Sequence, residues 1–260
     1  MESKPPKKRI TKAKVIEPIK EDNNNDLINF YELDAMVAYK NTYHNPNYNK
    51  ANMPLSHPFR ACIIGSSGSM KTNCALNIIS KLDSTFEHID IFTQNRDEPL
   101  YNYLTEKIPD DLDIHEGLKD LNENDINNCF IGQSLCIFDD LCLEKDQKQI
   151  EEMYIRGRKL AQNKGVSCIY LSQVYFKIPR PIRLQSNIIM IKKIGSNRDI
   201  KTILGDRDLN GLKPKELLKM YEYCVKDDEK SFLYIDISTK DVEFRKGFNQ
   251  ILNSDDFKEK

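Results

Sequence analysis

The chain has 260 residues, with 39 Lys+Arg against 40 Asp+Glu, so its net charge is −1. This length suits one large domain, or one domain with tails, able to bury a core without disulfide or metal staples. No apolar run approaches the roughly 20 residues that span a bilayer, and the opening MESKPPKKRITKAK has no apolar stretch behind it to act as a secretory signal.

The seven cysteines form no C-x-x-C pair, and Cys62, Cys136 and Cys168 sit inside apolar runs. That usage points to free thiols in a reducing compartment. The charge is segregated. Residues 1–20 carry seven Lys/Arg against two Glu, residues 83–152 carry nineteen acidic groups against five basic, and residues 153–198 carry ten basic groups and no acidic one. Such a basic block can face a polyanion, or it can pair with the acidic segment within the fold.

In chain order, residues 1–26 are Lys-, Pro- and Asn-rich and read as a disordered basic tail. Residues 27–55 read as a lead-in, with a short helix packing on the main domain. The main folded domain is expected over 56–240, and a C-terminal tail over 241–260. FRACIIG (59–65) reads as a buried parallel strand, and 70–82 as a helix with apolar positions at Ala75, Ile78, Ile79 and Leu82. HIDIFTQ (88–94) is a second strand, and 98–107 and 117–128 are helical or mixed. SLCIFDDL (134–141) is a strand ending in two acids, and 144–163 a long polar helix. VSCIYLSQ (166–173), SNIIMIKKI (186–194) and SFLYIDIS (231–238) are further strands, with helices at 198–204 and 214–221. Strands alternating with helices define an α/β domain with a mainly parallel sheet.

The first strand ends in Gly65-Ser66-Ser67-Gly68-Ser69-Met70-Lys71-Thr72, close to the G-x-x-x-x-G-K-[ST] phosphate-binding pattern. Successive backbone amides and the helix N-terminus would hold the phosphates of ATP. Lys71 would set a cation on the β and γ phosphates, and Thr72 would offer its hydroxyl to Mg²⁺. Met70 stands where the second glycine belongs. It weakens binding unless the local backbone is already helical. Asp139 and Asp140 end an apolar strand in the Walker B manner. The first acid suits Mg²⁺, and the second suits orienting and deprotonating a water. The plainer role for the pair is a strand-end turn with a helix cap. Gln173, at the tip of the next strand, can sense a γ-phosphate. Arg156 and Arg158 are candidates to reach a neighbouring subunit's nucleotide, or simply a basic helix end. Arg183 is a further candidate for phosphate or DNA contact.

The order of P-loop, Asp139-Asp140, Arg156-Gly157-Arg158, Tyr170-Leu171-Ser172-Gln173 and Ile178-Pro179-Arg180-Pro181-Ile182-Arg183 resembles the genome-packaging ATPases of large DNA viruses and virophages. These form the poxvirus-type branch of the FtsK–HerA superfamily. The resemblance covers about residues 55–195. It implies an additional-strand RecA-like P-loop NTPase fold and a ring, a hexamer, that pumps double-stranded DNA into a capsid. It implies that Lys71 and Thr72 are the Walker A pair, Asp139 the Mg²⁺ carboxylate, Asp140 the catalytic acid, Gln173 the sensor, and Arg156 or Arg158 the trans finger. Lys159 departs from the His that commonly follows the finger. The cofactors implied are ATP and Mg²⁺, and the partners are DNA, further copies of the chain, and a capsid or portal-vertex protein. The expected place is the host cytoplasm or viral factory, with virion association and the nucleus left open. A small-molecule or nucleoside kinase and a non-catalytic nucleotide-gated protein are the alternative functions for the same P-loop.

Overall fold

The computed structural model describes residues 29–39, 41, 43–48, 53–130, 132–226, 228–238 and 241–259. The expected basic tail over 1–26 lies outside the described residues. The chain divides into two units, 1–42 and 43–260. In the first, the described residues form 3₁₀ turns at Phe30–Glu32 and Asp34–Tyr39. Residues 43–48 and 53–55, expected to belong to the lead-in, are part of the second unit. There Asn45 Nδ2 donates to Thr85 O at 2.6 Å, and the Tyr234 hydroxyl donates to Pro54 O at 2.5 Å.

The second unit opens with β1 (Arg60–Ile64), α1 (Lys71–Lys81), β2 (His88–Thr93) and α2 (Pro99–Lys107). Next come β3 (Leu112–Glu116), α3 (Lys119–Glu123), α4 (Ile126–Cys129), β4 (Ser134–Asp139), α5 (Lys148–Arg156) and β5 (Val166–Ser172). It closes with α6 (Arg180–Gln185), β6 (Ile188–Ile191), α7 (Arg198–Asp206), α8 (Pro214–Val225), β7 (Leu233–Asp236), β8 (Glu243–Lys246) and β9 (Gln250–Leu252). The described strands make one sheet in the order β3-β2-β4-β5-β1-β6-β7-β8-β9. It is parallel from β3 to β6 and antiparallel from β6 to β9. Strand β5 separates β1, which feeds the P-loop, from β4, which ends in Asp139. This is the additional-strand arrangement that the family resemblance implies.

The central strands are apolar on both faces because both faces are covered. Ala61 and Ile63 of β1 pack with Cys74, Ala75 and Ile78 of α1 and Tyr101 of α2. Cys62 and Ile64 pack on the other side with Tyr154 of α5, Ile182 of α6, Ile200 of α7 and Leu217 of α8. The period-two alternation of one strand thus builds both layers of an α/β/α sandwich.

Two expectations are corrected. Residues 241–260 are not simply a tail: β8 and β9 within them extend the sheet. Their run is charged, and only Phe244 is buried, so the apolar signal of a strand is missing. Residues 144–163 do not form one helix. Helix α5 starts at Lys148, and Ala161, Gln162 and Asn163 all take positive φ (51°, 56° and 67°), which no helix continues. In the IPRPIR segment, Pro181 falls in the first turn of α6, where its missing N–H costs nothing.

Candidate nucleotide site

The loop from Gly65 to Met70 leaves the C-terminal end of β1 and is anchored to both neighbouring strands. Gly65 N donates to Ser172 O at 3.1 Å, and Ser66 N and Oγ donate to Lys193 O at 2.7 and 2.9 Å. A Cβ on Gly65 would sit 2.4 Å from Ser69 Oγ and 2.8 Å from Lys192 Cβ, so the close approach of the loop to β6 needs glycine there. Gly68 takes φ +73°. Lys71 Nζ donates to Ser66 O at 3.3 Å, which curls the lysine back over the loop. Burial lowers the Lys71 pKa, against the pull of Asp140 and Asp139. The amides of the first turn of α1 have no intrahelical acceptors and are free for an anion.

Met70 is not in a helical conformation. Its φ and ψ are 64° and 37°, the left-handed region that glycine favours, and it immediately precedes α1. Its side chain is exposed. The missing motif glycine therefore leaves backbone strain, not a side chain filling the loop.

The opposite wall comes from the ends of β4 and β5. Tyr101 of α2 donates its hydroxyl to Asp139 Oδ2 at 2.6 Å, and the Thr72 side chain lies beside the same hydroxyl. Burial is the main cause that raises the Asp139 pKa; the Tyr101 hydrogen bond opposes it and the Asp140 charge adds to it. Asp140 is exposed and takes φ 57° as the chain turns out of the strand. Gln173 Nε2 donates to Asp140 Oδ2 at 3.0 Å. A cavity of about 900 Å³ lies between these walls, floored by Ser67–Thr72 and lined by Asp139, Asp140, Gln173, Leu143 and Glu144. That volume accommodates a nucleotide.

The structure therefore brings together the P-loop residues Ser67 to Thr72 with Asp139, Asp140 and Gln173, and Gly65 and Ser66 anchor the loop behind them. It does not bring Arg156 or Arg158 to this cavity. Both lie where the chain enters β5, at the N-terminal ends of the parallel strands, roughly 20 Å from the loop by strand rise. Arg156 is tied to Glu152 and donates to Asn127 Oδ1 at 2.7 Å, whereas Arg158 is exposed. Arg183 is committed elsewhere: its side chain is 11% exposed, pairs with Asp206, donates from Nε to Ile178 O at 3.0 Å and stacks on Tyr175. Tyr101 was invisible to sequence reasoning, since a tyrosine inside a helix carries no motif. Of the ten basic residues in 153–198, Arg158, Lys159, Lys177, Arg180, Lys193 and Arg198 remain exposed.

The oxygen donors of Thr72, Asp139 and Asp140 make a set that fits a hard divalent cation beside bound phosphates. Ser69 Oγ, buried within the loop beside Gly65, has no hydrogen-bond partner among the described residues.

A phosphate-cradling loop at a strand end, with a carboxylate strand one position beyond the inserted β5, defines a P-loop NTPase. Residues 47–251 match the family model described as Poxvirus A32 protein, and the chain belongs to that family. The fold is similar to that of the genome packaging NTPase B204 from Sulfolobus turreted icosahedral virus 2. Its sulfate complex is 14% identical, with a TM-score of 0.54 over 74% of this chain and 98% of that one. The complex with ATP-gammaS is likewise 14% identical, with a TM-score of 0.54 over 74% and 99%. B204 described as the DNA-packaging ATPase of Sulfolobus Turreted Icosahedral Virus is 15% identical, with a TM-score of 0.50 over 72% and 96%. No curated protein matches the chain.

Proposed function

We propose that the protein is an ATPase that drives double-stranded viral DNA into a capsid. The observation that carries this reading is the juxtaposition of the Ser67–Thr72 loop, Asp139 and the Gln173–Asp140 pair around one nucleotide-sized cavity. Family membership supports it, as does the likeness to B204, itself solved with ATP-gammaS and described as a genome packaging NTPase.

The loop amides and Lys71 bind the phosphates of ATP. Thr72 and Asp139 would hold Mg²⁺, which supplies charge neutralisation at the β and γ phosphates. Tyr101 orients Asp139 by holding Oδ2. Asp140, on the exposed side, accepts the proton of the attacking water. Gln173, already bonded to Asp140, couples the state of that carboxylate to β5. Leu143, 83% exposed at the cavity rim, offers an apolar surface for a base.

The finger comes from another subunit. Arg158 suits that role better than Arg156, because its guanidinium is exposed while Arg156 is engaged by Glu152. Its distance from the chain's own cavity is what a contribution in trans requires, and it makes a closed ring, a hexamer by family resemblance, the active form. Lys177, Lys193 and Arg198 lie on segments leaving the C-terminal ends of β5 and β6, the same edge as the loop. They contact DNA phosphates without reading sequence. A capsid or portal-vertex protein is the docking partner, in the host cytoplasm or viral factory.

The test is ATP hydrolysis by the full chain, with and without linear duplex DNA, beside Lys71→Ala. Hydrolysis stimulated by DNA of any sequence, with the stimulation weakened by salt and turnover lost in the variant by roughly 10²-fold or more, is expected. Phosphoryl transfer to a small acceptor with no response to DNA would replace this reading with a kinase.

A further inference from the structure

The β2–β3 pair carries a polar cluster that the nucleotide site does not use. Side chains two apart on a strand share a face. His88, Asp90 and Phe92 of β2 therefore lie beside Asp113 and His115 of β3, on the side where α3 and α4 pack. The register sets Asp90 directly opposite Asp113. Like charges opposite one another weaken a ladder, and Asp90 is only 9% exposed. The pair calls for a positive group between them.

The geometry supplies a place for one. His88 Nε2 lies 3.2 Å from Asp113 Oδ2 and 3.7 Å from Asp90 Oδ1. The ligand atoms of His88, Asp90 and Asp113 all fall within 4.8 Å of one another. Ligands about 2.0–2.2 Å from a tetrahedral zinc ion are separated by about 3.3–3.6 Å, and the two measured separations bracket that range. His115 stands behind: its Nε2 is 3.1 Å from Asp90 Oδ1, and its Nδ1 is 3.1 Å from Asp120 Oδ2. An imidazole held by one carboxylate and bonded to a ligating one is the outer shell that orients metal ligands. A cavity of about 550 Å³ opens over the cluster, so a fourth position is accessible to water.

We propose that His88 Nε2, Asp90 Oδ1 and Asp113 Oδ2 bind a divalent transition-metal ion of the zinc type. Two carboxylates balance its charge, and the imidazole nitrogen selects it over Mg²⁺ and Ca²⁺. The ion ties the edge strand β3 to β2 and converts the Asp90–Asp113 conflict into a clip. The site is separate from the nucleotide cavity and does not depend on the protein's being an ATPase.

The experiment is titration of the chelator-treated full chain with Zn²⁺ alone, in the absence of nucleotide, repeated with Co²⁺ as a spectroscopic reporter. Asp139→Asn serves as background, because it removes the metal carboxylate proposed at the nucleotide site. The expected result is one Zn²⁺ per chain in both wild type and Asp139→Asn, with tetrahedral Co²⁺ absorption, a rise in thermal midpoint, and no displacement by a large excess of Mg²⁺. Asp113→Asn, at an exposed position that leaves folding intact, and His88→Gln should abolish binding. His115→Ala should weaken it by about 10- to 100-fold. Undiminished binding in Asp113→Asn and His88→Gln would overturn the proposal. So would the absence of stoichiometric Zn²⁺ in wild type, which would leave His88 and His115 as the groups that face the carboxylates. A thiolate-to-cobalt charge-transfer band would also overturn it, by assigning the ion to cysteine, Cys129 on the same cavity included.

Discussion

Tyr101 reaches from α2 to the end of β4 and donates its hydroxyl to Asp139 Oδ2 at 2.6 Å. This bond opposes the burial that raises the pKa of the carboxyl. Because the Asp139 pKa is raised, the folded chain holds that proton more tightly than the unfolded one. The stability this contributes is complete below the ordinary carboxylate value and is lost as pH rises through the raised one. A divalent cation binds the ionised form, so loading the site should release a proton in that window. Apparent Mg²⁺–nucleotide affinity should climb as pH rises above the ordinary carboxylate value, and Asp139→Asn should remove the effect. Calorimetry in buffers of different ionisation enthalpy reads the proton directly. Tyr101→Phe should cost about 1–2 kcal/mol of stability and shift the window to higher pH.

Met70 occupies a conformation that costs an L-residue about 1–2 kcal/mol, at φ 64°. Met70→Gly relieves that strain and gives back about 0.4–1 kcal/mol through the more flexible unfolded chain. A net gain of roughly 0.5–1 kcal/mol is expected in denaturant unfolding, with nucleotide affinity equal or improved. A loss of stability would mean that the exposed Met70 side chain makes a contact worth more than the strain.

Arg158→Ala should leave ATP binding intact and abolish turnover, while Arg156→Ala should retain most of it, because Arg156 is already engaged by Glu152. The double variant should bind nucleotide and hydrolyse none. A fluorescent ATP analogue separates binding from turnover. Full hydrolysis by the double variant would remove the trans finger.

Arg183 and Asp206, with side chains 11% and 10% exposed, form a partly buried pair that links α6 to α7. Arg183→Ala leaves the partly buried Asp206 carboxylate without this partner and should destabilise the fold by about 1–3 kcal/mol. The effect should appear in the thermal midpoint without any change in the salt dependence of DNA binding. A reduced salt slope at unchanged stability would return Arg183 to the DNA-contacting set.

Much of the fold was legible because buried parallel strands announce themselves. The runs around Cys62, Ile137 and Ile169 are apolar on both faces, and each emerged as a strand of the sheet. Strand β3 was not legible, since LDIHE alternates at the sheet edge with only Leu112 fully buried. Strands β8 and β9 were missed because their run is charged and only Phe244 in it is buried. The loop around Lys71 and the acids Asp139 and Asp140 were legible because their chemistry is local: a phosphate cradle and a strand end each occupy consecutive residues.

By itself, the sequence determined the α/β class, the P-loop and the acidic strand end, and it placed Gln173 after that strand. Only the tertiary structure decided that Gln173 meets Asp140, that Tyr101 holds Asp139, that Arg183 is a partly buried partner of Asp206, and that Arg156 and Arg158 lie at the opposite ends of the strands from the loop. It also decided that Met70 pays in backbone strain. The physical reason is that these relations join residues distant in sequence or depend on a dihedral angle. Apolar periodicity records which face of an element is buried, not which side chain of another element meets it there.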